Sequence, residues 1–311
     1  MIPLNFDIFM KRILNDMSNI DFIFEEKAAD IGNFLVGRLL PFRQKRNIGP
    51  FVFIDHMGPA QMKADENLDV GPHPHIGLST LTFLFEGAVK HKDSLGNDIV
   101  IEPGAVNWMT AGRGVVHSER TPDFMRTIDK TMHGLQIWIA LPKHLEDMEP
   151  NFVHIAAKDL PVWQENDLDF KLIAGEFEDK KSGVPVYSKL YMIEIKANKN
   201  QTVHLKDRLY GESGLYILEG NINHQDTNFG SKQILITKDA HLCEFEITAG
   251  STVYLFGGEP FPEERFIYWN FVSSSREKIE KAKEMWQKQE FPKIPGETDF
   301  VPLPVDSFKK G

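Results

Sequence analysis

Residues 83–91 read FLFEGAVKH, and residues 216–224 read YILEGNINH. Each string is an apolar run ended by Glu-Gly, followed by a second short run that closes on a histidine. Runs of this kind, bounded by glycine, mark strands rather than helix. Downstream, 101–112 read IEPGAVNWMTAG and 247–258 read ITAGSTVYLFGG, so in each half a turn glycine (Gly104, Gly250) opens a new strand. The gap from Gly87 to Gly104 is shorter than that from Gly220 to Gly250, which assigns a loop insertion to the second copy. A chain of 311 residues has the length for two such domains.

Further strand-like runs lie on either side of these repeats: GPFVFID (49–55), LSTLTFLFE (78–86), GLQIWIAL (134–141) and LYMIEIKA (190–197). Gly and Pro separate them, the pattern of sandwiches and barrels. One helix is predicted near the C-terminus. Ser274 and Glu277 resemble a capping box, and Ile279, Ala282 and Trp286 follow at helical spacing. The Pro-rich segment after it, FPKIPGETDFVPLPVDSFKKG, is expected to wrap the surface without regular structure. The proline-flanked stretch Leu141-Pro142 to Glu149-Pro150 sets the expected boundary. The reading is an arm over 1–22, an N-terminal metal-binding domain over 23–145, and a C-terminal domain over 146–311 without metal.

Hydrophobic residues make up 41% and charged residues 26%, an ordinary globular composition. Nothing approaches the roughly 20 apolar residues of a membrane span. The N-terminal stretch MIPLNFDIFMKRILNDMSNIDF carries Asp7, Lys11, Arg12 and Asp16 and does not read as a secretory signal. The one cysteine, Cys243, excludes an internal disulfide framework and a thiolate metal cluster. It lies in HLCEFEI, a strand-like run, and reads as apolar filler. The expected home is a reducing one, cytoplasmic, or nuclear in a eukaryote. A net charge of −10 argues against direct binding of nucleic acid or anionic membrane.

The chemistry concentrates at four residues. His73 and His75 are two apart, which on a strand points both side chains to one face. His117 and Glu119 repeat that spacing 42 residues after His75. Two such strands side by side would converge four ligand atoms on one point. Stepping by two from His75 through Gly77, Ser79, Leu81, Phe83 and Phe85 carries the ligand face into an apolar face, if the strand is continuous. On that parity the metal sits inside a barrel. Three imidazoles and one carboxylate suit a first-row transition metal and leave coordination positions open. The absence of sulfur ligands counts against a structural zinc site. Against a lone HxH, more often solvent-facing or a satisfied core pair, stand the second pair and the turn Ala111-Gly112-Arg113-Gly114 that lets the chain bend before His117.

At these residues the chain resembles the pirin family of the cupin superfamily. The matching strings are His73-Pro74-His75-Ile76-Gly77, Phe83-Leu84-Phe85-Glu86-Gly87, and the run from Pro103-Gly104-Ala105-Val106-Asn107-Trp108-Met109-Thr110 through Ala111-Gly112-Arg113-Gly114 to Val115-Val116-His117-Ser118-Glu119. Looser similarity continues through Gly134–Trp138, Ile173–Glu176 and Phe256–Pro260, so it covers most of 30–290. The resemblance implies an all-β bicupin, two β-barrel (jelly-roll) domains facing each other, with a short C-terminal helix. It implies Fe(2+) held in the N-terminal barrel by His73, His75, His117 and Glu119. It also implies quercetin 2,3-dioxygenase activity, the opening of a flavonol ring by O2 with release of carbon monoxide. The alternative it carries is a non-enzymatic, iron-dependent redox regulator acting through a protein partner. Many relatives have a glutamate where this chain has Ser79, on the parity expected to face the ligands.

The repeat offers an internal control. Aligning Gly220 on Gly87 and Gly250 on Gly104 sets Lys206, Arg208, Glu263 and Arg265 at the four ligand positions, so the second barrel is expected to hold no metal. His91 and His224 follow Glu-Gly in both copies and read as structural turn residues. His133 and His154 read as surface or interdomain residues, and His56 as a weak candidate for a pocket mouth. Trp108 and Met109 are expected to pack the barrel, and Arg113 to hold a turn or salt bridge. For the enzyme, a small aromatic or enol substrate would coordinate through a hydroxyl whose pKa the metal lowers, with Glu119 as proton acceptor.

Overall fold

The structure is a computed structural model that describes residues 20–30, 34–237 and 244–304. It is built from strands, with one α-helix, Arg276–Gln287, among the described residues. The chain divides into two compact units.

One unit comprises 28–41, 51–158 and 261 onward. Its large sheet runs in the order Asn151–Ile155, Val106–Thr110, Leu78–Glu86, Lys130–Ala140, Phe51–Met62 and Leu35–Leu40, with Lys27–Asp30 at the edge. A four-stranded sheet, ordered Asp69–His75, Val115–Arg120, Val89–Asp93 and Asp98–Ile101, packs against it. Val36, Met57, Leu84 and Met132 from the first sheet meet Val89 and Ile101 from the second in one apolar cluster. The other unit comprises the described residues among 20–27, 42–50 and 159–260. It repeats the topology strand for strand: Ile20–Glu25, Gln233–Thr237, Glu212–Glu219, Thr252–Gly258, Leu190–Ala197, Leu168–Phe177 and Val162–Glu165, against Gln201–His204, Glu244–Ile247, Asn221–His224 and Thr227–Gly230. This duplication is the bicupin arrangement.

The units do not follow the expected cuts at 22/23 and 145/146. Strand Ile20–Glu25 pairs antiparallel with Gln233–Thr237, completing the sheet of the later-sequence unit. The C-terminal helix belongs instead to the unit that holds His73–Glu119. Its Ile279, Ala282 and Trp286 pack on Ile76, Val116 and Phe271. The helix N-cap is Ser275, one residue beyond the expected Ser274; its backbone is extended and its Oγ accepts from Lys278 N–H. The described part of the tail beyond the helix, to residue 304, is irregular as expected, yet closely tied. Val301 N–H donates to the Pro72 carbonyl, and Glu297 accepts from Ser118 Oγ–H at 2.7 Å.

Topology also corrects the alignment of the two copies. The counterpart of Val106–Thr110, which follows Gly104, is Gln233–Thr237; Gly250 instead precedes Thr252–Gly258, the counterpart of Lys130–Ala140. Matching turn glycines misled because they open different strands. Glu263 and Arg265 are therefore not the counterparts of His117 and Glu119, and Lys206 and Arg208 fall beyond Gln201–His204, the counterpart strand of Asp69–His75. Arg208 pairs with Glu165 and Glu178, and Arg265 lies in the other unit against the Leu141 carbonyl and Glu146. The interior of the second copy is apolar, with Val203, Leu205, Ile222, Phe229, Phe245 and Ile247 in one cluster.

The strand from His73 is not continuous into Phe85. It stops at His75 and resumes at Leu78, and Gly77 between them takes φ +67°. A Cβ there would lie 2.0 Å from the Val272 carbonyl oxygen. Gly77 N–H donates to the Gly112 carbonyl, and Leu141 N–H donates to the Gly77 carbonyl, so the kink is bonded on both sides. The break shifts the phase by one residue. Gly77→Ala should destabilise the protein by about 2 kcal/mol or more, from the left-handed backbone and the clash together. Urea unfolding of the variant beside wild type measures this; equal midpoints would contradict it.

Candidate metal centre

His73 and His117 stand opposite each other in adjacent antiparallel strands, and Val115 stands opposite His75. All three histidines are buried, and their candidate ligand nitrogens lie within 4.8 Å of one another. The Nε2 atoms of His75 and His117 are 3.0 Å apart. Each Nδ1 is engaged elsewhere: that of His73 with the Gly71 carbonyl at 2.9 Å, and that of His75 with the Asn270 carbonyl at 3.2 Å. A carbonyl only accepts, so the ring proton sits on Nδ1 and each Nε2 presents a lone pair to the cluster. The Nδ1 of His117 faces Nδ1 of His91 at 3.4 Å.

Burial lowers the His73 pKa to about 4, against a weaker upward pull from the Gly71 bond. It takes His75 and His117 well below the usual histidine range, with neighbouring imidazoles adding to the effect. Three neutral imidazoles with converging lone pairs, shut away from water, fit a soft-to-borderline transition metal. Sulfur donors are absent from the group.

Glu119 lies on the same strand two residues beyond His117, but it is not one of the groups converging within 4.8 Å. Its Oε1 is 3.3 Å from Thr82 Oγ1, which is also 2.8 Å from Gln136 Oε1. Burial raises the Glu119 pKa, partly offset by His91 and Thr82. Among the described residues the structure thus brings three of the four expected residues into one cluster and sets the fourth beside it.

The ligand-facing side of Leu78–Glu86 is the even one. Thr82 reaches Glu119, and Trp138, paired across the sheet with Thr80, meets the His75 ring in a T-shaped contact with ring centroids 5.2 Å apart. Ser79, Leu81, Phe83 and Phe85 take the opposite face, and Ser79 Oγ donates to Thr110 Oγ1. The parity count is therefore corrected: the Gly77 kink inverts it, and Ser79 does not bear on charge at the centre. Behind the ligand strands, Arg120 binds Glu297 and Asp299 of the tail.

Of the remaining histidines, His91 is buried against His117 and Phe152, not a simple turn residue. Its signal in the sequence was the His91-Lys92-Asp93 spacing. His224 bonds the Glu244 carbonyl. His133 is buried, its Nε2 2.9 Å from that of His56, so neither is a surface group. His154 is exposed and bonds Asn107. Trp108 and Met109 are buried, and Arg113 pairs with Glu149. Cys243 lies outside the described residues.

The pirin family profile matches residues 33–139, and that of the pirin C-terminal cupin domain matches 192–292. A pirin-like protein of Caulobacter vibrioides is 43% identical over 290 residues, 92% of this chain and 99% of that protein. The chain belongs to the pirin family. A Pseudomonas aeruginosa protein provisionally named quercetin 2,3-dioxygenase is 39% identical, covering 84% of this chain and 82% of its own. The crystal structure of a quercetin 2,3-dioxygenase from Acinetobacter baumannii superposes with a TM-score of 0.83 at 34% identity, covering 96% of this chain and 99% of that one. Among the described residues of this pirin, no helix is long and apolar enough to cross a membrane.

A histidine whose folded-state pKa is depressed takes up its proton more readily when unfolded. Its contribution is therefore complete above the unfolded value of 6.5 and lost as pH falls toward the folded value of about 4. The metal-free protein should lose stability across that window, and His73→Gln should lose less, by about 3 kcal/mol. Urea titrations between pH 7 and pH 4 read the difference; parallel curves would contradict it.

Proposed function

We propose that this pirin is a mononuclear metal oxygenase of the quercetin 2,3-dioxygenase type, acting on a flavonol or a similar enol with O2. The observation that carries the reading is a set of three buried imidazoles whose ligand nitrogens lie within 4.8 Å of one another, with a carboxyl group beside them that is not one of the cluster. His73, His75 and His117 are the proposed ligands, and Fe(2+) the proposed metal. Glu119 would be the fourth ligand when it leaves Thr82. A bound iron would supply Lewis acidity toward the enol hydroxyl and electron exchange with dioxygen.

The protein's own residues do the rest. Glu119 Oε1 takes the proton of the enol hydroxyl; a carboxyl raised toward neutrality by burial is better matched to that task than an exposed one. Thr82 Oγ1–H can donate to Glu119 Oε1 or to Gln136 Oε1, which leaves the carboxyl free to change partners. Trp138 edge-on to His75, with Phe53 stacked on it at 4.0 Å, keeps water from that side of the imidazoles. The similarity to proteins named quercetin 2,3-dioxygenase supports the substrate class.

Iron-loaded protein mixed anaerobically with quercetin and then exposed to air should consume oxygen and release carbon monoxide. Glu119→Gln should retain the metal on its three imidazoles and lose about 100-fold or more in kcat. Absence of both oxygen uptake and carbon monoxide would overturn the flavonol reading in favour of a non-enzymatic role for the metal.

A further inference from the structure

Two of the three clustered histidines anchor Nδ1 on a backbone carbonyl, as described above. His117 does not. Its Nδ1 meets Nδ1 of His91, and His91 Nε2 lies 3.2 Å from Asp93 Oδ2. Asp93 is fully buried and rigidly held: Oδ1 accepts from Leu95 N–H and Asn97 N–H, and Oδ2 accepts from Asn97 Nδ2–H at 2.7 Å. A carboxylate bonded in this way can only accept from His91, which puts the His91 proton on Nε2 and leaves Nδ1 as acceptor. That acceptor faces His117 Nδ1–H and leaves His117 Nε2 as a lone pair on the cluster.

The second copy shows that this closure is not a by-product of the fold. His224 and Asp226 have the spacing of His91 and Asp93 after the same Glu-Gly turn. There Asp226 is exposed with φ +61°, and His224 Nδ1 donates to the Glu244 carbonyl at 2.8 Å. The interior on that side is apolar. The carboxylate turns in onto its histidine in the copy that carries the three-imidazole cluster.

We propose that His91 and Asp93 are a positioning pair that fixes the tautomer and aim of His117, so that metal affinity and ligand field depend on two residues that do not touch the metal. The proposal rests on the three imidazoles being the ligands. Its physical basis is general: an acceptor on the far nitrogen orients a ligating imidazole and raises its basicity, and loss of such a partner weakens metal binding about 10- to 100-fold.

The test uses the full chain and Co2+, whose visible spectrum reports the ligand field, with affinity read by chelator competition. His91→Leu removes the acceptor, whereas His91→Asn returns an oxygen close to the place of Nδ1. His91→Leu should weaken Co2+ by about 10- to 100-fold and shift the visible bands, and His91→Asn should recover most of both. Asp93→Asn presents an amide N–H to His91 Nε2, reverses its tautomer, and should resemble His91→Leu. Wild-type affinity and spectrum in His91→Leu would overturn the pair, as would equal losses in His91→Leu and His91→Asn, which would assign the effect to packing on Phe152. A wild-type protein that takes up no Co2+ would overturn the ligand assignment itself, and the pair with it.

Discussion

The centre depends on one constraint: three imidazoles are removed from water in a space where none can hold a proton cheaply. Burial keeps them neutral, and bonds from each Nδ1 decide which nitrogen is left to face its neighbours. Lone pairs brought this close repel one another unless a cation lies between them. The surrounding fold is arranged to hold that arrangement. Gly71 and Asn270 supply carbonyls, the tail backs the ligand strands through Ser118, Arg120 and Pro72, and the Gly77 kink turns the next strand so that Thr82 and not Ser79 faces Glu119.

Duplication lets the polar interior be compared with an apolar one of the same topology. Both units use the same sheet order, and in one the equivalent space is filled by aliphatic and aromatic side chains. Apolar filling is the low-cost solution for a sandwich of this size. The polar solution appears where the chain supplies His73 and His75 on one strand, His117 on its neighbour, and a carboxylate–histidine pair behind them.

Much of this was legible in the residues. The HxH spacing and His117 pointed to the three imidazoles that cluster, though Glu119 lies beside them; the Glu-Gly repeats revealed duplication, and the resemblance to pirins agreed with the family found. What escaped was set by long-range geometry. A single left-handed glycine inverted the face on which Ser79 was placed, and period-two counting has no means of seeing it. The turn glycines Gly104 and Gly250 look alike locally but precede different strands. Strand Ile20–Glu25 and helix Arg276–Gln287 each join a unit distant in sequence, and no local pattern records a partner some 200 residues away. His91 follows a turn in the sequence, whereas its contacts with His117 and Phe152 come from the way the strands assemble.

On the proposed assignment, His73, His75 and His117 together hold one metal ion. Elemental analysis of protein purified without added chelator, with His73→Ala and His117→Ala prepared in parallel, tests it most directly. Wild type should carry close to one transition-metal equivalent per chain and either variant little, with each variant still folded. A metal-free wild type that cannot be loaded, or variants that retain a full equivalent, would contradict it.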